Sequence, residues 1–428
     1  MPNGQSSAHL FRPKLLTTIV EGYGLAMARR DALAALTVAI VALPLSMAIA
    51  VASGVSPERG LYTAIVGGFF VSALGGSRFQ IGGPAGAFIV LVASTVARYG
   101  VDGLLIAVVL SGVMLVLMGA LRLGSLIRHV PHAVAVGFTA GIAVIIFASQ
   151  IRDLGGLHLA DKEPGPLLPK LAALGSAWAT LQPAALATAA GVAAIIMLVR
   201  RLRPTWPGML IAVVLASAAA ALLQLPIETI GSRFGEMPRG LPAPALPDLS
   251  LDRLWQLLPV SLSFTLLGGL ESLLSAKVAD GMTGRVHRSN MELVAQGIAN
   301  VASALFGGIS VTGTIARTAT NVRAGACSPL AGMMHSGFVL LFLIVAAPLA
   351  GFIPLSALAG LLAVVCWNMA DRAEFGRLLR DWRSAVVLLA TFGLTLVEDL
   401  TSGIIAGCAV AAVLALLFRQ KVAEEGDR

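Results

Sequence analysis

The chain has 428 residues, of which 57% are hydrophobic and only 12% are charged, and its mean hydropathy is +0.87. A soluble protein carries roughly a quarter charged residues, so this composition excludes an ordinary soluble enzyme. The net charge of +8 would suit a nucleic-acid partner, but the basic residues follow the pattern of membrane loops described below, and we expect no nucleic acid. The sequence predicts an integral membrane protein that is embedded in a lipid bilayer.

Apolar segments recur along the whole chain, and several approach the ~20 residues that a helix needs to cross a bilayer. In the first half they lie at 31–52, 60–76, 84–97, 103–121, 131–151, 183–200 and 206–224. After a proline-rich extracytoplasmic loop, the second half has segments at 257–279, 289–306, 313–325, 327–350, 354–370, 383–399 and 400–419. We therefore predict an all-α polytopic membrane protein with fourteen transmembrane segments. The loop covers 225–256, and the two ends of the chain cover 1–30 and 420–428.

The basic residues give these segments an orientation. If the chain crosses the membrane alternately, 21 of the 30 Lys and Arg residues fall on the side of the two termini, and 8 fall on the opposite side. Cytoplasmic loops carry the excess of Lys and Arg. Both termini are therefore predicted to be cytoplasmic, in a multi-pass cell-membrane protein of the bacterial inner-membrane type.

Two of the segments, 84–97 and 313–325, are too short to cross the bilayer as helices. Each follows a glycine-rich stretch that is compatible with a short β-strand, at 75–83 and 307–313. The two segments are the third and the tenth, so they hold equivalent places in two halves of seven. An odd number of segments per half inverts the second half, which predicts 7+7 inverted repeats at 31–224 and 257–419. Short, interrupted segments at matching positions of two halves are the best sequence indication of a transporter binding site.

A half-helix that begins inside the membrane leaves about four backbone N–H groups without partners and carries a partial positive charge. Pro84 suits the first turn of such a helix, because its missing N–H would be unpaired there anyway. Two facing starts of this kind form a site for an anion. The predicted site residues are Pro84, Ala85, Gly86 and Ala87 in the first half and Gly313, Thr314, Ile315, Ala316 and Arg317 in the second.

Arg317 and Glu271 are charged side chains inside predicted segments, where an isolated charge is costly. Arg317 lies in the first turn of the second half-helix and adds a fixed positive charge beside the predicted anion. Glu271 lies midway along 257–279, where it either pairs with Arg317 or binds a coupling proton or sodium ion. His335 is interpreted as a satisfied core histidine rather than a ligand. No catalytic, metal or cofactor motif occurs in the sequence, and we do not expect an enzyme.

Four stretches resemble the sulfate permease family of anion transporters and exchangers, at 31–54, 75–93, 271–284 and 306–321. The resemblance covers nearly all of 31–419. It implies a core domain and a gate domain, an elevator-type movement, and an anion held between helices three and ten. By motif it adds Leu45 and Ile49 of the first segment to the predicted site.

The sequence departs from the family's pattern in two ways. Many members have a polar residue directly after the proline of helix one, whereas Pro44 is followed here by Leu45. Members usually end in a cytoplasmic STAS domain, but this sequence ends ten residues after Phe418. We therefore expect a transmembrane domain without the usual STAS domain, and we leave a homodimer open.

The sequence favours a secondary active transporter of small anions, of the sulfate, bicarbonate, chloride or dicarboxylate class. It is predicted to couple to protons or sodium, or to exchange anions. A nucleobase–cation symporter of the same architecture is the alternative, and an anion channel is a third reading. Arg317 and the apolar surface near Leu45 favour an anion over a hydrogen-bonded base.

Overall fold

The computed structural model describes residues 11–124, 131–160, 163–164, 166–204, 206–398 and 400–426. In this part of the chain, seven helices are long and apolar enough to cross a membrane by length and composition. Several shorter apolar helices accompany them.

The elements of the first half are α1 Lys14–Glu21, α2 Leu25–Ala52, α3 Pro57–Tyr62, a π-helical turn Thr63–Gly67, α4 Gly68–Leu74, β1 Gly82–Gly83, a 3-10 turn Gly86–Phe88, α5 Ile89–Ala120, α6 His132–Gly155, α7 Leu167–Ser176, a 3-10 turn Trp178–Thr180, α8 Pro183–Leu202 and α9 Gly208–Leu222. Those of the second half are α10 Ile230–Phe234, α11 Leu251–Thr283, α12 Ser289–Leu305, β2 Thr312–Gly313, α13 Ile315–Arg323, α14 Leu330–Ala350, α15 Leu355–Met369, α16 Arg372–Leu378, α17 Trp382–Val397 and α18 Leu400–Gly426.

The mostly helical fold confirms the predicted class, and each of the fourteen predicted segments coincides with helical structure where the chain is described. The third and fourth segments follow each other directly as α5, which breaks at Gly100, where φ is +72°. The predicted loop at 225–256 contains the short helix α10, and α11 begins at Leu251. The number of membrane crossings and the inversion of the two halves stay predictions.

Helices α5 and α12 pack closely because glycines face each other between them. A Cβ atom at Gly112 would lie 2.6 Å from the carbonyl oxygen of Gly297, and one at Gly297 would lie 2.4 Å from that of Gly112. Any side chain at these positions would force the helices apart. Such contacts through small residues are typical of helix pairs in membranes.

The two glycine-rich stretches meet as an antiparallel pair of strands. Gly82 of β1 pairs with Gly313 of β2, and Gly83 pairs with Thr312. The predicted strands before the third and tenth segments are thus confirmed. Their pairing brings the starts of the two following helices to the same place in the molecule.

Buried side chains satisfy the irregular backbone before β2. The side-chain amide of Asn300 bonds to the backbone of Val311 as a neighbouring strand would. Its Nδ2 donates to the carbonyl of Val311 at 2.8 Å, and its Oδ1 accepts the Val311 N–H at 3.0 Å. The Thr63 hydroxyl accepts the N–H of Ile309 at 2.7 Å. Non-helical backbone at membrane depth is tolerated only where its polar groups find such partners.

The stretch before β1 is held in the same way. The carboxylate of Glu292 accepts the N–H of Ser77 at 3.0 Å, and Nδ2 of Asn321 donates to the carbonyl of Phe79 at 2.9 Å. Both side chains come from helices of the second half and are fully buried. The strand pair is therefore fixed from both sides by polar contacts that cross between the halves.

Candidate functional site

The two half-helices begin next to the strand pair without side-chain caps. Thr314 precedes α13 with an extended backbone, at φ −95° and ψ 128°, and Ala85 precedes the 3-10 turn at φ −114° and ψ 144°. Neither side chain caps its helix, and the Thr314 hydroxyl donates instead to the carbonyl of Ile81 at 3.4 Å. The first-turn N–H groups therefore keep the partial positive charge of a helix start.

The prediction that Pro84 lies in the first turn of its helix is wrong. Helical structure begins at Gly86, and Pro84 lies in the link between β1 and that helix. The reason is that pairing holds Gly83 in an extended conformation, which a residue before proline also prefers. Two residues separate β1 from the helical turn that follows it, whereas one residue separates β2 from α13. Ala85 thus corresponds to Thr314 as the residue that directly precedes its helix.

Arg317 lies in the first turn of α13, as predicted, and its residue is only 2% exposed. Its Nη2 donates to the hydroxyl of Ser46 at 3.1 Å and to the carbonyl of Pro84 at 3.3 Å. Its Nε and Nη1 are buried and have no hydrogen-bond partner in the structure. The guanidinium passes so close to Gly83 that a Cβ atom there would lie 2.0 Å from Nη1. A buried cation with unused donors is what a bound anion would satisfy.

Glu271 lies on α11 and is half-buried. In the part of the chain that the structure describes, no ion pair joins it to Arg317, so this predicted alternative is not found. The guanidinium is instead turned toward α2, where Ser46 lies. Oxygen Oε2 of Glu271 is buried, and none of the described residues forms a hydrogen bond with it. An unpaired carboxylate among membrane-spanning helices is costly unless it binds a proton or a cation.

Some of the other predicted residues are buried, and some are exposed. Four of them lie in one buried apolar cluster, which we call the apolar wall: Leu45, Ile49, Ala85 and Ala87. Gly313 and Thr314 are buried at the strand, whereas Ile315 and Ala316 are exposed. The structure thus brings the residues of the two half-helices together, with the first turn of α13 on the open side.

Gly86 marks where this site meets other helices. A Cβ atom at Gly86 would lie 3.4 Å from Sδ of Met369 and 3.9 Å from Cδ1 of Ile146. These side chains belong to α15 and α6, which were not predicted to contribute. An apolar side chain in a membrane helix gives no sequence signal that distinguishes it from a lipid contact.

Two polar residues outside the predicted site were missed or misjudged. Ser46 directly follows Leu45, but only the structure shows that it contacts the guanidinium. The interpretation of His335 as a satisfied core histidine is wrong, because both its ring nitrogens are buried and have no hydrogen-bond partner. Its position in an otherwise apolar segment was the signal that could have indicated a role.

Comparison with known sequences gives a consistent result. The sequence model of the Sulfate permease family matches residues 29–392. The YvdB protein of Bacillus subtilis (strain 168) is 46% identical over 399 residues, which are 92% of this chain and 74% of YvdB. The "Bicarbonate transporter BicA" of Picosynechococcus sp. is 31% identical over 404 residues, which are 91% of this chain and 70% of BicA.

A solved structure agrees with these matches. The transmembrane domain of a cyanobacterium bicarbonate transporter BicA superposes with a TM-score of 0.80 at 30% identity, covering 89% of this chain and 98% of that domain. The family match at 29–392 spans both half-helices and the strand pair between them. The chain belongs to the sulfate permease family and is a membrane transport protein.

Proposed function

We propose that the chain is a secondary transporter that binds a small inorganic anion, of the sulfate or bicarbonate class, between the starts of the two half-helices. The observation that carries this proposal is the buried guanidinium of Arg317, whose Nε and Nη1 have no partner. The names of the family and of BicA, a bicarbonate transporter, support the same class of substrate.

The charges around the site favour an anion. Arg317 contributes one full positive charge, and each helix start contributes the equivalent of about half a charge. In a site shielded from water these charges act strongly on a ligand. Oxygen atoms of an oxyanion would accept the unused N–H groups of Arg317 and those of the uncapped first turns, in charge-assisted hydrogen bonds.

The apolar wall argues against a nucleobase. Leu45, Ile49 and Ile146 offer no hydrogen-bond donor or acceptor, and Met369 beside Gly86 offers only a weakly accepting sulfur. A base is selected by several hydrogen bonds to its edge, and a site without such groups discriminates poorly. A compact anion needs only the charges and the N–H groups.

We propose that Glu271 carries the coupling ion. When ionised, its carboxylate cancels one of the positive charges that attract the anion. A proton or a sodium ion bound at Oε2, which has no partner, removes this opposing charge. Anion and cation then favour each other's binding, and by linkage the effect is reciprocal.

We also propose that the strand pair and the half-helices move together past α6 and α15, in an elevator-type cycle. The contacts of Gly86 with Met369 and Ile146 are apolar. Sliding along such a surface breaks no hydrogen bond there. This places the anion at the boundary between a moving part and a stationary part.

The test is uptake of radiolabelled sulfate and bicarbonate by proteoliposomes that contain the wild-type protein, Arg317→Gln or Arg323→Gln. Loss of the Arg317 charge should reduce uptake by about a hundredfold or more, as expected when a buried charged hydrogen-bonding group is lost. Arg323 is an exposed arginine in the last turn of the same helix, and its variant should transport like the wild type. Wild-type uptake by Arg317→Gln would overturn the proposal.

A further inference from the structure

Helix α14 buries a histidine whose polar atoms are unused. His335 is 0% exposed, and neither Nδ1 nor Nε2 has a hydrogen-bond partner in the structure. A neutral imidazole has one donor and one acceptor nitrogen, and leaving both unpaired in the interior is costly. A leucine or phenylalanine would fill the same space without that cost. The position therefore calls for a polar neighbour.

The neighbour with matching chemistry is Arg317. Helix α14, which carries His335, packs along α2, the helix whose Ser46 accepts a hydrogen bond from the Arg317 guanidinium. Helix α14 also lies next to the strand pair. A Cβ atom at Gly68 would lie 2.8 Å from the carbonyl of Gly82 and 3.1 Å from the hydroxyl of Ser336, so α14 runs directly beside β1. The tip of Arg317 lies beside the next residue of β1, Gly83.

The hydrogen bonds of Arg317 leave its orientation incompletely fixed. Ser46 and Pro84 both accept from Nη2, so a single nitrogen of the guanidinium is held. The group can still turn about that nitrogen, which would move Nε and Nη1. A guanidinium has only donors, whereas a neutral imidazole supplies an acceptor. The two sets of unpaired atoms are therefore complementary.

We propose that His335 is the positioning residue for Arg317. Its acceptor nitrogen takes a hydrogen bond from the guanidinium, directly or through one water molecule, and so aims the remaining donors at the anion. This inference rests on the proposed function, since it gives His335 a role only if Arg317 binds the anion. His335 itself need not contact the anion.

The test separates positioning from packing by comparing KM with the maximal rate of anion uptake in proteoliposomes. His335→Leu removes the acceptor and should raise KM for sulfate or bicarbonate by about tenfold, as expected for loss of preorganisation at a charged ligand. His335→Gln and His335→Asn keep an acceptor near Nε2 and Nδ1, respectively. One of them should bring KM back to within about threefold of the wild type.

Ser336→Ala is the matched control. Ser336 is the next residue of the same helix, is also buried, and donates to the carbonyl of Ala64 rather than facing Arg317. Its KM should equal that of the wild type. If His335→Leu keeps the wild-type KM, or if Gln and Asn raise KM as much as Leu does, His335 only fills space and the inference is wrong.

A double variant distinguishes failure of this inference from failure of the proposed function. If Arg317→Gln transports normally, the proposed function fails and this inference fails with it. If Arg317→Gln loses uptake but His335→Leu keeps the wild-type KM, only this inference fails. If the proposed function and this inference are both right, the double variant Arg317→Gln/His335→Leu should bind the anion as weakly as Arg317→Gln alone. Residual anion binding is measured by thermal shift in detergent. Should His335→Leu not fold, the same comparison between the Gln and Asn variants decides, since a positioning role requires their KM values to differ.

Discussion

At the scale of single residues, the position of one guanidinium decides what the site can bind. Arg317 was predicted at the anion because it follows a glycine-rich stretch and starts a short segment. Its contacts with Ser46, Pro84 and Gly83 could not be predicted, because they lie on other elements. A local pattern can place a residue on a helix, but the direction of its side chain depends on tertiary contacts.

Gly83→Ala should displace the guanidinium without removing its charge. The added methyl group would lie 2.0 Å from Nη1 of Arg317, and this atom is the end of a flexible side chain. We expect KM for the anion to rise by about tenfold or more, while the melting temperature in detergent changes by only a few degrees. Gly281→Ala is the control, because a Cβ atom at Gly281 of α11 would meet nothing within 4 Å. An unchanged KM for Gly83→Ala would show that the anion does not depend on where Arg317 points.

Glu271→Gln should separate binding from coupling. The amide keeps the shape of the side chain but neither takes up and releases a proton nor attracts a sodium ion. We expect anion exchange between equal solutions to continue, while accumulation driven by a pH or sodium gradient is lost. Proteoliposome uptake with and without each gradient measures both. Gradient-driven accumulation at the wild-type level would exclude Glu271 as the coupling site.

At the scale of elements, the sequence predicted the two strands, but neither their pairing with each other nor the start of the third segment. Glycine-rich stretches before two short segments are a local signal, and the structure confirms their strands. Pro84 lies before the helix instead, because Gly83 is held in the strand by pairing with Thr312, far away in the chain. Local preference for a helix start at proline was overridden by this non-local pairing.

Asn300→Ala should destabilise the link between α12 and β2. It would leave both the N–H and the carbonyl of Val311 without their side-chain partner in a buried position. Each unsatisfied group costs about 1–3 kcal/mol, so the melting temperature in detergent should fall clearly. Ser94→Ala removes an exposed side-chain bond to the carbonyl of Leu91 and is the control. Equal melting of the Asn300 and Ser94 variants would contradict the role given to Asn300.

Docking of the N-terminal helix α1 should depend on pH. Burial, together with the charges of Arg288 and Arg78, lowers the pKa of Lys14 from 10.5 to about 8. The docked state therefore loses this proton at lower pH than the undocked state, so docking strengthens as pH rises from about 8 toward 10.5. Hydrogen exchange of the amides in 14–21, corrected for the intrinsic rate, should show more protection at pH 9.5 than at pH 7 by about tenfold. In Lys14→Met, protection should be the same at both values, and a pH effect of equal size in this variant would contradict the assignment.

At the scale of the whole molecule, the length of the apolar segments carried most of the information. A helix that crosses hydrocarbon needs a minimum length, and this requirement is visible in the sequence before any contact is known. The arrangement of those helices around the site was not visible, because in lipid the faces toward protein and toward lipid are both apolar. Only the structure therefore shows that Met369 and Ile146 lie beside Gly86 of the site.

The proposed cycle requires that the half-helices carry a bound anion past α6 and α15. Its thermodynamic consequence is that transport needs both the positive charge of Arg317 and neutralisation of Glu271. A channel would instead pass anions without saturation and without a response to a proton or sodium gradient. Saturable, gradient-dependent uptake is thus the property that distinguishes the transporter from a pore of the same fold.

The most direct measurement is an uptake panel with purified protein in liposomes, using labelled sulfate, bicarbonate, chloride, a dicarboxylate and uracil. We predict saturable accumulation of at least one anion, no uptake of uracil, and loss of the anion signal in Arg317→Gln but not in Arg323→Gln. Transport of uracil with none of the anions carried, or anion uptake that Arg317→Gln leaves intact, would contradict an anion bound between the two half-helices.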